Sequence, residues 1–431
     1  MICANLEVSP SGHLTFGGRD TAELAEKYGT PLYLMDERRI RENCRVYTNA
    51  FRKHFGENAL PLYAGKAACF KRIYAVVGSE GLGIDVVSPG EVHTAFLAGF
   101  PMENAYFHGS NKADADIAFA MEKGVGTFVV DGPDELAAVD RIAGERGIRQ
   151  KILLRLTPGI DPHTYEAVST GKVDSKFGVA IETGQARELA AQALGMKNIS
   201  LEGFHCHVGS QVFEEDIFQR TSLVMLRFFA QMRADFDFET KLYDIGGGYG
   251  VRYVESDGFV DIEKRIGEVA ACIKTTVAEL GIPMPKILME PGRSIVADAG
   301  LTLYTVGSVK RITGYKNYVS VDGGMTDNPR YALYGSKYTV YAAERMNEAA
   351  DFPCDLVGRC CESGDIIQPD VLLPEPKRGD LIAVCTTGAY NYSMASNYNR
   401  VCRPPIVMVD GENDTVAVRR ESLEDLTQND L

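Results

Sequence analysis

The chain has 431 residues, 45% of them hydrophobic and 24% charged, and its 45 Lys+Arg against 59 Asp+Glu leave a formal charge of −14 at pH 7. That length accommodates a barrel plus a second domain, and the composition is that of an ordinary soluble protein. The negative balance argues against nucleic acid or an anionic membrane as partner, since both repel it, but leaves room for an anionic metabolite in a locally basic pocket. No basic flank followed by an apolar run opens the chain, and no segment approaches the ~18 apolar residues of a membrane span. Ten cysteines are scattered without a CxxC pair, which disfavours a zinc ribbon or a disulfide scaffold, so a cytoplasmic location is expected.

Residues 31–36, Pro-Leu-Tyr-Leu-Met-Asp, read as a strand. From 60 to 290, eight short apolar runs then alternate with helix-like segments: 60–64, 83–87, 105–108, 127–131, 151–156, 201–208, 241–245 and 286–289. Two of the helix openings are explicit, with Ser88-Pro89-Gly90-Glu91 supplying an N-cap and a first-turn proline, and Gly132-Pro133-Asp134-Glu135 repeating the pattern. Eight such repeats suit a (β/α)8 barrel, although an open doubly wound sheet gives similar local patterns. After residue 300 the runs 301–312, 315–321, 354–357, 380–386 and 405–409 follow one another without long helices, the signature of a mostly β domain. The expected organisation is an N-terminal segment (1–36) adding to the β domain, a barrel (37–300) and the C-terminal β domain itself (301–431).

Several run ends carry chemistry. Lys66 follows the first run in Tyr63-Ala64-Gly65-Lys66; a desolvated lysine there would be a nucleophile for a carbonyl, whereas a solvated one would merely snorkel. In His205-Cys206-His207-Val208-Gly209-Ser210, strand alternation would turn both imidazoles to one face. The pair could begin a zinc site, stack on a flat cofactor or simply pack. Asp244-Ile245-Gly246-Gly247-Gly248-Tyr249-Gly250 offers backbone N–H groups to a phosphate, but it fits no Rossmann fingerprint, and a plain turn is the alternative. Glu290-Pro291-Gly292-Arg293 closes the eighth run. Its carboxylate could keep a heterocyclic nitrogen protonated and its arginine could grip an anion, though Pro-Gly between charges also makes a surface turn.

The order of these motifs, together with longer matches at Ser169-Thr170-Gly171, Ser175-Lys176-Phe177-Gly178, Asp322-Gly323-Gly324-Met325, Asn328-Pro329-Arg330-Tyr331, Cys361-Glu362-Ser363-Gly364-Asp365 and Gly388-Ala389-Tyr390, resembles the fold-type III pyridoxal phosphate enzymes, the alanine racemase and ornithine decarboxylase superfamily. Within it the chain is similar to the diaminopimelate decarboxylase family from about Pro31 to about Arg403. It departs from the family in carrying Ala68 and Cys69 after Lys66-Ala67, and in a loop from Thr164 to Ser169 that looks slightly long.

The resemblance implies a barrel that binds pyridoxal 5'-phosphate, with Lys66 as the Schiff-base lysine and His207 stacked on the ring. It puts Ser210, Gly247, Gly248 and Tyr390 on the phosphate, Glu290 on the pyridine nitrogen, Asp85 in the floor and Gly292 with Arg293 beside the cofactor. Arg293, Arg330, Tyr334, Glu362 and Tyr390 would meet the substrate, and Cys361 would be the acid that reprotonates the α-carbon. A diaminopimelate substrate differs from ornithine by a distal carboxylate, for which the guanidinium fork is suited. The family further implies a homodimer whose active sites are shared, so that Cys361 and Glu362 serve the partner's Lys66. The expected reaction is decarboxylation of meso-2,6-diaminopimelate to L-lysine, the last step of lysine biosynthesis, without a metal. Alternatives are decarboxylation of another basic amino acid or of carboxynorspermidine, and, from a different class, a non-catalytic regulatory homologue.

Overall fold

A computed structural model describes residues 1–160 and 175–431. The chain forms two compact units. The barrel unit comprises residues 44–250 and 259–292, and the β unit comprises residues 1–43, 251–258 and 293–431.

The barrel strands are β1 (Ala59–Ala64), β2 (Gly83–Val86), β3 (Ala105–Phe107), β4 (Thr127–Val130), β5 (Gln150–Thr157), β6 (Ile199–His205), β7 (Leu242–Asp244) and β8 (Lys286–Met289). Each pairs in parallel with the next, and β8 returns to β1 through Ile287↔Ala59, Leu288↔Leu60 and Met289↔Pro61, which closes the ring. Closure decides between the two α/β architectures that periodicity alone left open. A helix follows each of β1 to β7, and the expected cap is present: Ser88 Oγ accepts from the Glu91 N–H at 3.2 Å at the start of Pro89–Leu97.

Alternation along the strands sorts the side chains. Leu62, Tyr106, Val129, Leu153 and Leu288, from five strands, pack into one buried cluster inside the ring. Two residues further along each strand, on the same face, stand Ala64, His108, Asp131, Arg155 and Glu290. A dry apolar layer therefore supports an ionisable one at the C-terminal end, where barrel enzymes keep their chemistry. The backbone ladder runs past the formal strand ends and fixes that second layer: His108 N–H donates to Val86 O at 2.8 Å, Glu290 N–H to Gly246 O at 2.9 Å and Ala64 N–H to Pro291 O at 3.1 Å.

In the β unit, Gly300–Ile312 is the organising strand. It pairs antiparallel with Lys316–Val321, Leu381–Cys385 and Leu32–Asp36. Leu32–Asp36 also pairs in parallel with Ile406–Asp410, so the N-terminal strand lies inside this sheet. Two apolar clusters fill the unit, one around Phe16, Leu34, Leu303 and Val407 and the other around Tyr304, Leu356, Ile367 and Val384. Six described strands of this unit stand outside the sequence expectation: Leu6–Val8, Leu14–Phe16, Arg19–Asp20, Val340–Ala342, Ile366–Leu373 and Asn413–Val418. Among the described residues no helix is long and apolar enough to cross a membrane.

Candidate active site

In the barrel unit the ionisable layer gathers around Glu290, which is 5% exposed. His108 Nε2 lies 2.8 Å from Glu290 Oε1, close but off the line of a hydrogen bond, since neither atom has a hydrogen-bond partner. On the other oxygen, His205 Nε2 reaches Glu290 Oε2 at 3.3 Å. The two imidazoles stand edge to face, their centroids 4.9 Å apart at 75°. Asp85 completes a line, its carboxylate 3.8 Å from His108 Nε2 on one side and 3.8 Å from Lys66 Nζ on the other. Lys66, Asp85 and Glu290, expected together, are thus brought together.

The charge states follow from burial and neighbours. Burial alone would raise the Glu290 carboxyl, but His108 and His205 outweigh it and hold the group well below the usual carboxylate range. Burial, then the negative Glu290, pushes the Asp244 carboxyl well above that range. Burial also drives the His205 imidazole down to about 4, leaving it neutral at pH 7. Burial followed by the Lys66 ammonium does the same to His207, which lies well below its ordinary value. His108, His205, Asp244 and Glu290 offer ligand atoms within 4.8 Å of one another, a set that could hold a divalent cation.

β6 ends at His205, and the two imidazoles of the sixth run have different partners. His205 faces Glu290, while His207 Nδ1 accepts the Gly247 N–H at 3.2 Å. The Lys66 side chain is 41% exposed. It stands at the open end of the barrel beside Asp85.

The glycine run is a close-approach device. Gly246 has φ +69° and Gly248 φ +125°, conformations that L side chains rarely adopt. A Cβ on Gly247 would collide with the Glu290 carbonyl, and one on Gly248 with the Gly209 carbonyl beside Ser210. The Gly246 N–H donates to Asp244 Oδ1 at 2.9 Å. Gly292 is equally tight, since a Cβ there would sit 2.9 Å from that of Ala64. On the far side of the ring, Gly178 N–H donates to Asp131 Oδ1 at 2.9 Å and the Arg155 guanidinium lies 4.5 Å from the Phe177 ring, so Ser175 to Gly178 packs on β4 and β5. Residues 163–171, the first part of that loop motif, lie outside the described residues.

The β unit holds a second group. Arg293 and Arg330 are each 7% exposed. Both lie over the ring of Tyr390, at 4.7 and 5.2 Å, and Arg330 also stacks 4.8 Å from Tyr334. Arg293 Nη1 donates to Tyr253 Oη at 2.7 Å. Among the described residues no carboxylate pairs with Arg330, so two buried guanidinium groups share one aromatic face and leave a locus for an anion. Cys361 and Glu362 are exposed, the Cys361 N–H donating to Asn399 Oδ1 at 2.9 Å. No described contact joins either residue to Arg293, Arg330 or Tyr390. Their loop is tied to the one before Arg330 by Asp365, which accepts the Met325 and Cys360 N–H groups at 2.6 and 2.7 Å.

Sequence reading missed His108, Asp244 and Tyr253. A signal existed for the first two: each ends an apolar run that had been recognised as a barrel strand, the position where functional side chains project. Tyr253 follows the glycine run in a segment with no periodicity to mark it.

Comparison with known proteins agrees with this geometry. Residues 37–297 match the family model described as pyridoxal-dependent decarboxylase, pyridoxal binding domain. The diaminopimelate decarboxylase of Bacillus subtilis (strain 168) is 44% identical over 420 residues, covering 97% of this chain and 95% of that protein. The crystal structure of diaminopimelate decarboxylase from M. jannaschii in complex with L-lysine superposes with a TM-score of 0.92 at 31% identity, over 100% of this chain and 98% of the other. That of the Helicobacter pylori enzyme complexed with L-lysine gives 0.86 at 32%, over 95% and 98%. The chain is therefore a member of the pyridoxal-dependent decarboxylases and, within them, of the diaminopimelate decarboxylase family.

Proposed function

We propose that the chain decarboxylates meso-2,6-diaminopimelate to L-lysine and CO2 with pyridoxal 5'-phosphate. The observation that carries this reading is Glu290, a buried carboxylate held in its anionic form by two imidazoles. Its charge keeps a ring nitrogen protonated, which is what a decarboxylase needs and what an arginine at that position would oppose. When bound, the cofactor supplies a sink for the electron pair released as CO2 departs. The barrel unit suits it. The run Gly246 to Gly248 admits a group where any Cβ would collide with backbone, His207 is a neutral flat ring, and Glu290 Oε1 is buried without a hydrogen-bond partner.

The residues that would hold the cofactor are Lys66 at its aldehyde carbon, His207 on the ring face, and Ser210, Gly247, Gly248 and Tyr390 at the phosphate. Gly292 and Arg293 complete this set. Asp85 lies between Lys66 and His108, 3.8 Å from each, in the floor of this set. Arg330 and Arg293 are assigned to the distal carboxylate of the substrate, supported by their burial and their shared tyrosine. Tyr334 lines the Arg330 side and Glu362 pairs with the distal ammonium. Cys361 returns the proton to the α-carbon. Because Cys361 and Glu362 are exposed and apart from the arginine group, we assign them to the active site of a second copy in a homodimer.

The test is incubation of the protein with pyridoxal phosphate and a substrate panel. Lysine and CO2 from meso-diaminopimelate, with little product from ornithine or lysine, is the expected result; equal turnover of ornithine would refute the assignment of the arginines. For the shared site, inactive Lys66→Ala and Cys361→Ala chains are mixed under exchange conditions. Activity should return in the mixture, and its failure to return would remove the dimer assignment.

A further inference from the structure

The cost of burying His108 and His205 demands an account. They are 4% and 1% exposed inside the barrel, where a phenylalanine would fill the space without desolvating ring nitrogens. Neither is assigned a contact with cofactor or substrate above. Their Nε2 atoms flank one carboxylate from two sides, His205 bonded to Glu290 Oε2 at 3.3 Å and His108 2.8 Å from Oε1 but off the hydrogen-bond line. Left alone, a carboxyl at this depth would take up a proton and turn freely about its last torsion. Between two imidazoles it can do neither.

We infer that His108 and His205 are positioning residues that fix the plane of the Glu290 carboxylate for the ring nitrogen. The inference rests on the reading of Glu290 as the partner of that nitrogen. Groups from every neighbouring strand surround this carboxylate: Asp85 flanks His108, Asp244, whose carboxyl burial and Glu290 push up, faces it from β7, and the Arg155 guanidinium and Lys66 ammonium bear on the same layer. The two histidines differ in their second contacts. His108 also touches Asp85 and so couples Glu290 to the Lys66 side of the ring, whereas His205 does not.

The experiment loads the protein with pyridoxal phosphate labelled with 15N in its ring and reads the nitrogen chemical shift, which separates the protonated from the unprotonated form. The variants are His108→Phe, His108→Leu, His205→Phe and His205→Leu, which remove the donor at two different sizes so that a folded form of each is at hand. His108→Gln is added because its amide nitrogen stands about where Nε2 does. The expected result is a protonated nitrogen in the unaltered protein, a shift toward the unprotonated position in the Phe and Leu variants, and recovery in His108→Gln. Turnover should fall about 10- to 100-fold in the non-donor variants, the usual cost of removing a group that orients a ligand, with KM changed less than about twofold, as expected of a loss felt in the transition state. Folded non-donor variants that keep the protonated shift would overturn the role of the histidines while leaving Glu290 intact. An unprotonated nitrogen in the unaltered protein, or a protonated one in Glu290→Gln, would instead remove the reading of Glu290 and the inference with it.

Discussion

Acid should destabilise this protein in part through the buried His205 imidazole. His205 is 1% exposed, and burial drives it from 6.5 down to about 4. The sign follows from linkage: the unfolded chain takes up the proton near 6.5, while the folded chain resists until about 4. Stability from this site is therefore fully present above pH 6.5 and is lost as pH falls through about 4. The gap corresponds to roughly 3 kcal/mol, of which about 2.5 kcal/mol has gone by pH 4.5. Denaturant unfolding of the unaltered protein and of His205→Gln, followed from pH 7.5 to 4.5, isolates the site, because the other titrating groups are common to both. The variant starts less stable, but its profile should fall by roughly 2.5 kcal/mol less over that range. Glu290, held low partly by the same imidazole, moves the difference in the same direction. Parallel profiles would refute the reasoning.

Three further outcomes are expected. Lys112 is buried with its ammonium 2.7 Å from Glu135 and 2.8 Å from the Val129 carbonyl. Lys112→Met strands a buried carboxylate and should cost about 3–5 kcal/mol in denaturant unfolding, most of it recovered in Lys112→Met/Glu135→Leu. Gly247→Ala drives a Cβ into the Glu290 backbone carbonyl, and a shift of the Glu290 side chain by about 1 Å should lower kcat/KM by about 100-fold; activity near that of the unaltered protein would show that the strand end yields. Arg330→Ala removes charge-assisted contacts worth about 1.5–3 kcal/mol. Steady-state kinetics on diaminopimelate should register about a 10- to 100-fold loss in kcat/KM, with cofactor affinity unchanged.

The barrel was legible because its strands are buried on both faces and so appear as continuous apolar runs, each stopped by a helix opening such as Ser88-Pro89. Lys66, Glu290 and the glycine run were legible because each follows such a run directly. The weak points share a physical cause. Asn413–Val418 is an edge strand with much of its surface exposed, so it lacks the apolar signal of an inner strand. Ile366–Leu373 contains Pro369 and has Asp370 at φ +54°, which interrupts its period. His108 and Asp244 were passed over although each stood at a recognised strand end, because their value lies in partners far away in sequence. His108 meets Glu290 only once the ring has closed and β3 faces β8 across it.

The apolar layer formed by Leu62, Tyr106, Val129, Leu153 and Leu288 has a consequence for proton traffic. It stoppers the barrel from below, directly under the carboxylates and imidazoles. Hydrons entering from bulk water must then arrive at the opposite mouth, on the Lys66 side, where the lysine side chain is 41% exposed. The cluster around Glu290 behaves as a cul-de-sac. Deuterium should reach Lys66 early and the buried imidazole N–H groups late, and whatever covers the mouth sets the exchange rate of everything beneath it.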